Sequence, residues 1–147
     1  MGRIVVSQFI TVDGVIEDPG GAEGFAEAWP SRTGDFADKF NSMPKYVVSE
    51  NLSDPEWTNT TMLRGDVAGA AATVKERHER DILVNGSGQL TRALLAAGAV
   101  DELRLMLFPT VLGAGKRLFG AHESTVSLRL IESRPAGETL ILRFVPA

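Results

Sequence analysis

Apolar positions change their spacing along this chain, and the change divides it into two kinds of architecture. Residues 3–10, "RIVVSQFI", are β-branched and almost continuously apolar, which predicts a central strand covered on both faces. "TVDG" follows as an abrupt turn. Further on, Phe36, Phe40 and Met43 recur at i, i+4 and i+7. They mark one face of a short helix, with Ser31 or Thr33 available as its N-cap. Pro44 ends that helix, and "KYVVS" reads as a second buried strand. Residues 50–65 are polar and turn-rich. From Asp66 to Arg80 the stripe Val67, Ala71, Val74, His78 predicts another helix, with Glu76 and Arg80 paired at i, i+4 on its outer side. "DILVNG" is a third strand, and "SGQLTRALLAAG" a helix opened by Ser87 and closed by Gly98. After Gly98 the period falls to two. "DELRLMLFPTVLG", "STVSLRLIESR" and "ETLILRFV" alternate, with Val126, Leu128 and Leu130 on one face against Ser127 and Arg129. "RPAGE" joins the last two segments as an antiparallel hairpin. β/α alternation followed by antiparallel strands predicts an α/β fold with a mixed sheet and helices on both faces.

Composition narrows the function. A chain of 147 residues with 44% apolar and 23% charged content is expected to be a single globular domain spanning 1–147. No run approaches the roughly 18 apolar residues of a membrane-spanning helix. The start "MGRIVVSQFITVDG" has no small-residue cleavage site, and Val6 stands where a myristoylation signal prefers Ser or Thr. A cytoplasmic location, with no membrane partner, is therefore expected. The absence of cysteine excludes disulfides, thiolate nucleophiles and zinc-thiolate sites. His78 and His122 lack a partner at metal-ligand spacing, so no metal site is expected. A net charge of -4 with scattered cations argues against nucleic acid and leaves a small molecule as the default ligand.

Three stretches could carry chemistry. In "ILVNGSGQLTRALL" a buried strand runs through small residues straight into a helix, where free amide groups and glycines can admit an anion such as a pyrophosphate. A plain tight turn through Gly86 and Gly88 explains the same letters. The stretch is no Rossmann fingerprint, since Thr91 replaces the third glycine, and no nucleophile elbow, since Asn85 replaces the first. "VLGAGKRLF" is no phosphate-binding P-loop, because Arg117 follows the Gly-Lys pair. Asp13, just past the first strand, lies where open α/β sheets bind ligands; it is a candidate polar contact or proton donor, or half of a Asp-Gly turn pair. "LFPTVLGAGKRLF" could wall a pocket while Lys116 or Arg117 meets an anion, or it could be a loop with solvated charges. Asp101 and Glu102 read as a solvated strand start, and Trp29 and Trp57 as core or pocket-rim residues. The stretch "PGGAEGFAEAWP" at 19–30 reads as a phosphate cradle, a turn or a junction.

Together, "QFITVDGVIEDPGG", "AEAWPSRTGDFADKFNSMPKYVVSENL", "ILVNGSGQLTRALLAAGAVDELRLMLFPTVLGAGKRLF" and the closing hairpin resemble, in order and over almost the whole chain, the dihydrofolate reductase-like family that includes the C-terminal reductase domain of bacterial riboflavin biosynthesis. The resemblance implies a three-layer α/β/α sandwich around a mixed, mostly parallel sheet with a C-terminal antiparallel hairpin. It implies NADPH as cofactor, hydride transfer to a small heterocycle or sugar derivative, and a homodimer. It would place Gly86, Ser87, Gly88, Gln89 and Leu90 on the cofactor pyrophosphate, Val15 and Ile16 along the nicotinamide, and Ser49 near the adenosine half. Asp13, as catalytic residue, and the wall Phe108-Pro109 would face the substrate.

One departure stands out. Where family members carry a further helix and a strand ending in Gly-Arg-x-Thr-Tyr-Glu, "EDPGGAEGF" here passes directly into "AEAWP". The shortfall is on the order of 30 residues. Only Glu23-Gly24-Phe25 matches the end of that motif, and its phosphate-gripping Arg and Thr have no counterpart. Neighbouring strands would then have to pair with each other, borrow a strand, or leave an open edge. A non-catalytic nucleotide-binding or interaction module on the same scaffold is the alternative function.

Overall fold

The computed structural model describes residues 1–16, 33–49, 58–85, 87–120 and 124–147. The junction stretch, Trp29, Trp57, Gly86 and His122 lie outside them. The described chain forms two compact units. The first contains β1 (Ile4–Thr11) and everything from Val67 onward: α2 (Val67–Arg77), β4 (Ile82–Asn85), α3 (Gly88–Ala96), β5 (Glu102–Phe108), β6 (Leu128–Ala136) and β7 (Thr139–Pro146). The second contains α1 (Asp35–Ser42) and the strands β2 (Lys45–Val48) and β3 (Thr60–Leu63).

Five strands of the first unit lie in the order β4-β1-β5-β7-β6. β1 runs parallel to both neighbours, with Val6 opposite Val84 on one side and Leu103 on the other. β7 then runs antiparallel to β5 and to β6. In the second unit β2 and β3 are parallel, Tyr46 facing Thr61. The fold is thus α/β with mixed, mostly parallel pairing, as the change of period implies.

β1 is central because both of its faces are apolar enough to bury. Ile4 and Val6 join Ala71 of α2, Leu94 and Leu95 of α3, Val100 and Leu103 in one core cluster. Both helices of the first unit therefore pack on the face that carries Ile4 and Val6. Val5, pointing the opposite way, is enclosed as completely, at 1% exposure. Gln8, on the helical face, is also buried and donates from Nε2 to Thr91 Oγ1 at 3.3 Å. Helix α3 ends as its sequence predicts: Gly98, at φ +65, donates to the Leu95 carbonyl, and Ala99 to that of Leu94.

Local expectations fail where side-chain pattern was not what ended an element. α1 has Gly34, not Thr33, at its N-cap, without a side-chain cap bond. Its apolar stripe pairs internally: Phe36 and Phe40 meet edge to face at 5.0 Å, while Ala37 is the buried residue. At the other end Lys45 Nζ donates to the carbonyls of Phe40, Asn41 and Met43, closing the last turn with a cation where the helix dipole favours one. α2 stops at Arg77, so His78 and Arg80 fall beyond the helix and the Glu76–Arg80 spacing is not a helical one. β3 arises inside a stretch whose polar letters predict turns. Among the described residues β2 and β3 pair only with each other, and β4 pairs only with β1.

Asp101 and Glu102 are not a solvated strand start. Glu102 is fully buried on the face opposite the helices, and accepts from Arg143 Nε at 2.7 Å, Arg104 Nε at 2.6 Å and Arg3 Nη2 at 2.9 Å. The Arg143 bond above all, with Arg104 and Arg3, holds its pKa well below the usual carboxylate range against the opposing effect of burial. Arg143 continues the chain to Glu132. Asp101 accepts from the Ile4 N–H at 2.7 Å and pairs with Lys75 at 2.6 Å.

Candidate functional site

The carboxyl ends of β4, β1 and β5 lie side by side, and each opens into a loop. In an open α/β sheet this end is where ligands bind, because the diverging connections leave a crevice there. Here three connections converge: residues 12–16 after β1, the turn through Ser87 after β4, and residues 109–118 after β5.

Asp13 fastens the first of these to the third. Thr11 Oγ1 donates to its Oδ1 at 2.6 Å, as does the Leu112 N–H at 3.2 Å, and the Gly113 N–H donates to Oδ2 at 2.8 Å. The Thr11 hydroxyl, followed by the Gly113 amide, lowers the Asp13 pKa from 3.8 to about 2. At neutral pH the group is an anion whose oxygens are already engaged. That makes Asp13 an acceptor that shapes the loop and a poor proton donor, which narrows the two roles open to it in the sequence. Arg117 Nη1 donates to the Asp13 carbonyl. Arg117 thus joins the clasp while remaining an exposed residue.

Val15 sits inside the assembly with no exposed surface. Its N–H donates to Thr11 Oγ1 and its carbonyl accepts from the Thr11 N–H. With its side chain enclosed and its backbone committed, Val15 supports its neighbour. Ile16 is half-buried; its N–H donates to the Lys116 carbonyl at 2.8 Å, and the Leu118 N–H reaches back to Gly14.

The β4–α3 turn is built as its letters predict. Ser87 is the N-cap of α3, its hydroxyl accepting from the Leu90 N–H at 3.3 Å. The Leu90 side chain packs against the core, so it is a structural residue of the first turn. Gln89 is exposed. The N–H groups of Gly88 and Gln89 have no acceptor within the helix, as at any helix start. A Cβ at Gly88 would stand 2.6 Å from Ile16 Cδ1 and 3.3 Å from Arg92 Nη1, so these two side-chain ends would have to shift to admit one. Ile16 and Gly88, far apart in sequence, are therefore in close approach.

The other expected contacts are placed as follows. Phe108 ends β5 and meets Phe9 edge to face at 5.7 Å; Pro109 beside it is exposed. Ser49 belongs to the second unit, where its N–H donates to the Leu63 carbonyl and its own carbonyl accepts from Arg64. Gly86 lies outside the described residues. An open cleft of about 640 Å³ bounded by Arg92, Leu95, Phe119, Val126 and Leu128 is lined by none of the expected contacts. Among the described residues no group of His, Asp or Glu is placed to hold a metal ion, and no helix is long and apolar enough to cross a membrane.

Sequence reasoning missed Thr11 and Arg92. Thr11 completes the Asp13 clasp from within β1. Arg92 stands one turn after Gly88, a spacing that does signal contact with the helix start.

The fold is α/β of the dihydrofolate reductase kind. Over 99% of its length the chain superposes on the riboflavin biosynthesis reductase of Saccharomyces cerevisiae, covering 89% of that chain at 13% identity and TM-score 0.66. It superposes equally well on a dihydrofolate reductase from Enterococcus faecalis complexed with NADP(H), covering 99% of this chain and 96% of that one at 12% identity and TM-score 0.66. The chain belongs to the RibD C-terminal domain family, whose model matches residues 20–142. A curated relative, the uncharacterized protein YyaP of Bacillus subtilis, is 28% identical over 94 residues, 64% of this chain and 50% of its own length. The chain spans about half the length of the curated relatives it matches.

Proposed function

We propose that the chain is an NADPH-dependent reductase that transfers hydride to a small heterocyclic or sugar-derived substrate of the pteridine or pyrimidine type. The observation that carries this reading is the convergence, in a member of the RibD C-terminal domain family, of a serine-capped helix start with the loops after β1 and β5 at one end of the sheet.

The residues present fit a dinucleotide phosphate in one respect that can be stated physically. Ser87 caps the Leu90 N–H and leaves those of Gly88 and Gln89 pointing out of a helix start, where backbone dipoles favour an anion. Bound nicotinamide would supply the hydride. Hydride transfer asks the protein for orientation and exclusion of water more than for an activated nucleophile, and the chain's own residues suit that demand. Ile16 offers an apolar surface beside Gly88, Val15 holds it from behind, and ionised Asp13 fixes the loop on the substrate side. A homodimer in the cytoplasm completes the proposal.

Titration of NADPH, followed by cofactor fluorescence, tests it; no change up to millimolar cofactor overturns the enzyme reading. Gly86→Val is expected to abolish binding by blocking close approach of the backbone. The second reading, a nucleotide-binding module without catalysis, is favoured by the missing Arg and Thr of the Gly-Arg-x-Thr-Tyr-Glu motif. It requires binding without oxidation of NADPH in the presence of pteridine and pyrimidine substrates.

A further inference from the structure

Arg92 has no part in the site as sequence outlines it, yet it joins two of its loops. In a helix a long side chain leans back toward the N-terminus, over the turn that precedes its own Cα. Arg92 is four residues after Gly88, and its Nη1 lies 3.3 Å from where a Gly88 Cβ would be. From there Nη1 donates to the carbonyls of Arg117, at 3.2 Å, and Leu118, at 3.1 Å. Leu118 is completely buried and its N–H is bonded to Gly14; the neighbouring Lys116 carbonyl accepts from Ile16. A guanidinium close to a helix N-terminus is on the electrostatically unfavourable end of the dipole. These two carbonyls and the space that Gly88 leaves favour its position there.

We propose that Arg92 is a positioning residue that clamps the 116–118 segment of the loop onto the first turn of α3, so that Ile16 is held beside Gly88 and the cofactor-side and substrate-side loops keep one relative geometry. The consequence for NADPH rests on the function proposed above; the clamp itself does not.

The test compares the intact chain with Arg92→Met, which keeps the aliphatic stem and removes the donors, and Arg92→Lys, which restores one. Amide hydrogen exchange is read at Ile16 and Leu118, with Leu105 in the middle of β5 as control. Loss of two hydrogen bonds is expected to speed exchange at Ile16 and Leu118 by about tenfold in Arg92→Met and to leave Leu105 unchanged. The NADPH dissociation constant should rise by about the same factor, and Arg92→Lys should recover part of both effects. Unchanged exchange at Ile16 and Leu118, or an equal rise at Leu105, overturns the clamp; faster exchange with unaltered NADPH affinity overturns its consequence for the cofactor. If Arg92→Met does not fold, Arg92→Lys decides by the same amides. Absence of NADPH binding by the unsubstituted chain rejects the proposed function, and exchange alone then decides the clamp.

Discussion

At the residue scale the site is held by a few groups that bind backbone, and their charge states set its behaviour. Asp13 illustrates this. Its folded pKa of about 2 lies below the 3.8 of the free group, so its stabilising effect is present in full above the free value and is lost as pH falls through the folded one. Exchange at the Gly113 amide should therefore be flat from pH 8 to 5, after correction for intrinsic rates, and rise as pH drops from about 4 toward 2. Asp13→Asn should loosen the same amide at neutral pH, because one face of the side chain then presents N–H groups to N–H groups; equal protection in both proteins would refute the clasp. Gly88 makes a second prediction. Gly88→Ala is expected to push aside the Ile16 Cδ1 that would lie 2.6 Å from its Cβ, a cost that alanine's better helix propensity offsets. Combining it with Ile16→Ala should relieve the contact, a coupling of about 0.5–3 kcal/mol measurable by a denaturant double-mutant cycle. Strict additivity would show that the two residues do not touch. Asp13 was legible in the sequence as a residue at a strand end. Its partners were not, since two of the three are amides about a hundred positions away.

Elements differ in how far letters alone define them. β1, β5, α3 and the β6–β7 hairpin follow from period, capping residue and turn chemistry, because local and tertiary preferences agree in them. β3 was not legible: "TTML" is too short and too polar to show a period, and its strand geometry comes from the ladder with β2. α1 was misplaced at its start because glycine, not a side-chain cap, begins it. Glu102 was misread for a related reason. Its burial depends on Arg104 of β5, Arg143 of β7 and Arg3 just before β1, which no window of sequence brings together. Removing them should separate core from surface cleanly: Leu103→Ala, at a position 1% exposed, is expected to cost about 2–5 kcal/mol in urea denaturation. Leu130→Ala, at a position 50% exposed, should stay within about 0.5 kcal/mol. Glu102→Ala should fall between about 1 kcal/mol, typical of exposed pairs, and the 3–5 kcal/mol of breaking a buried one, since its arginine partners are themselves partly exposed.

For the whole molecule, the two units predict unequal stability. The five-stranded sheet has a continuous core, whereas β2 and β3 carry no fully buried residue. Two strands by themselves are marginal in water. Native-state exchange should therefore find the amides of Lys45 and Ser49, which bond to Asn59 and Leu63, opening at much lower free energy than those of Val6 and Leu105; equal protection would mean that both units unfold as one. The fold class was legible at this scale because the resemblance runs through nearly every element in order.

The arginine cluster over Glu102 has a consequence for how this sheet meets solvent. Arg3, Arg104 and Arg143 converge on Glu102 at the face that the helices of the first unit leave alone, and each arginine side chain stays partly exposed to water. Cohesion on that side combines these ion pairs with apolar neighbours, Val5 and the Phe9–Phe108 pair, where the helical side rests on its apolar cluster. The two faces should accordingly answer to different solvents: moderate salt screens the half-exposed arginines while strengthening apolar burial.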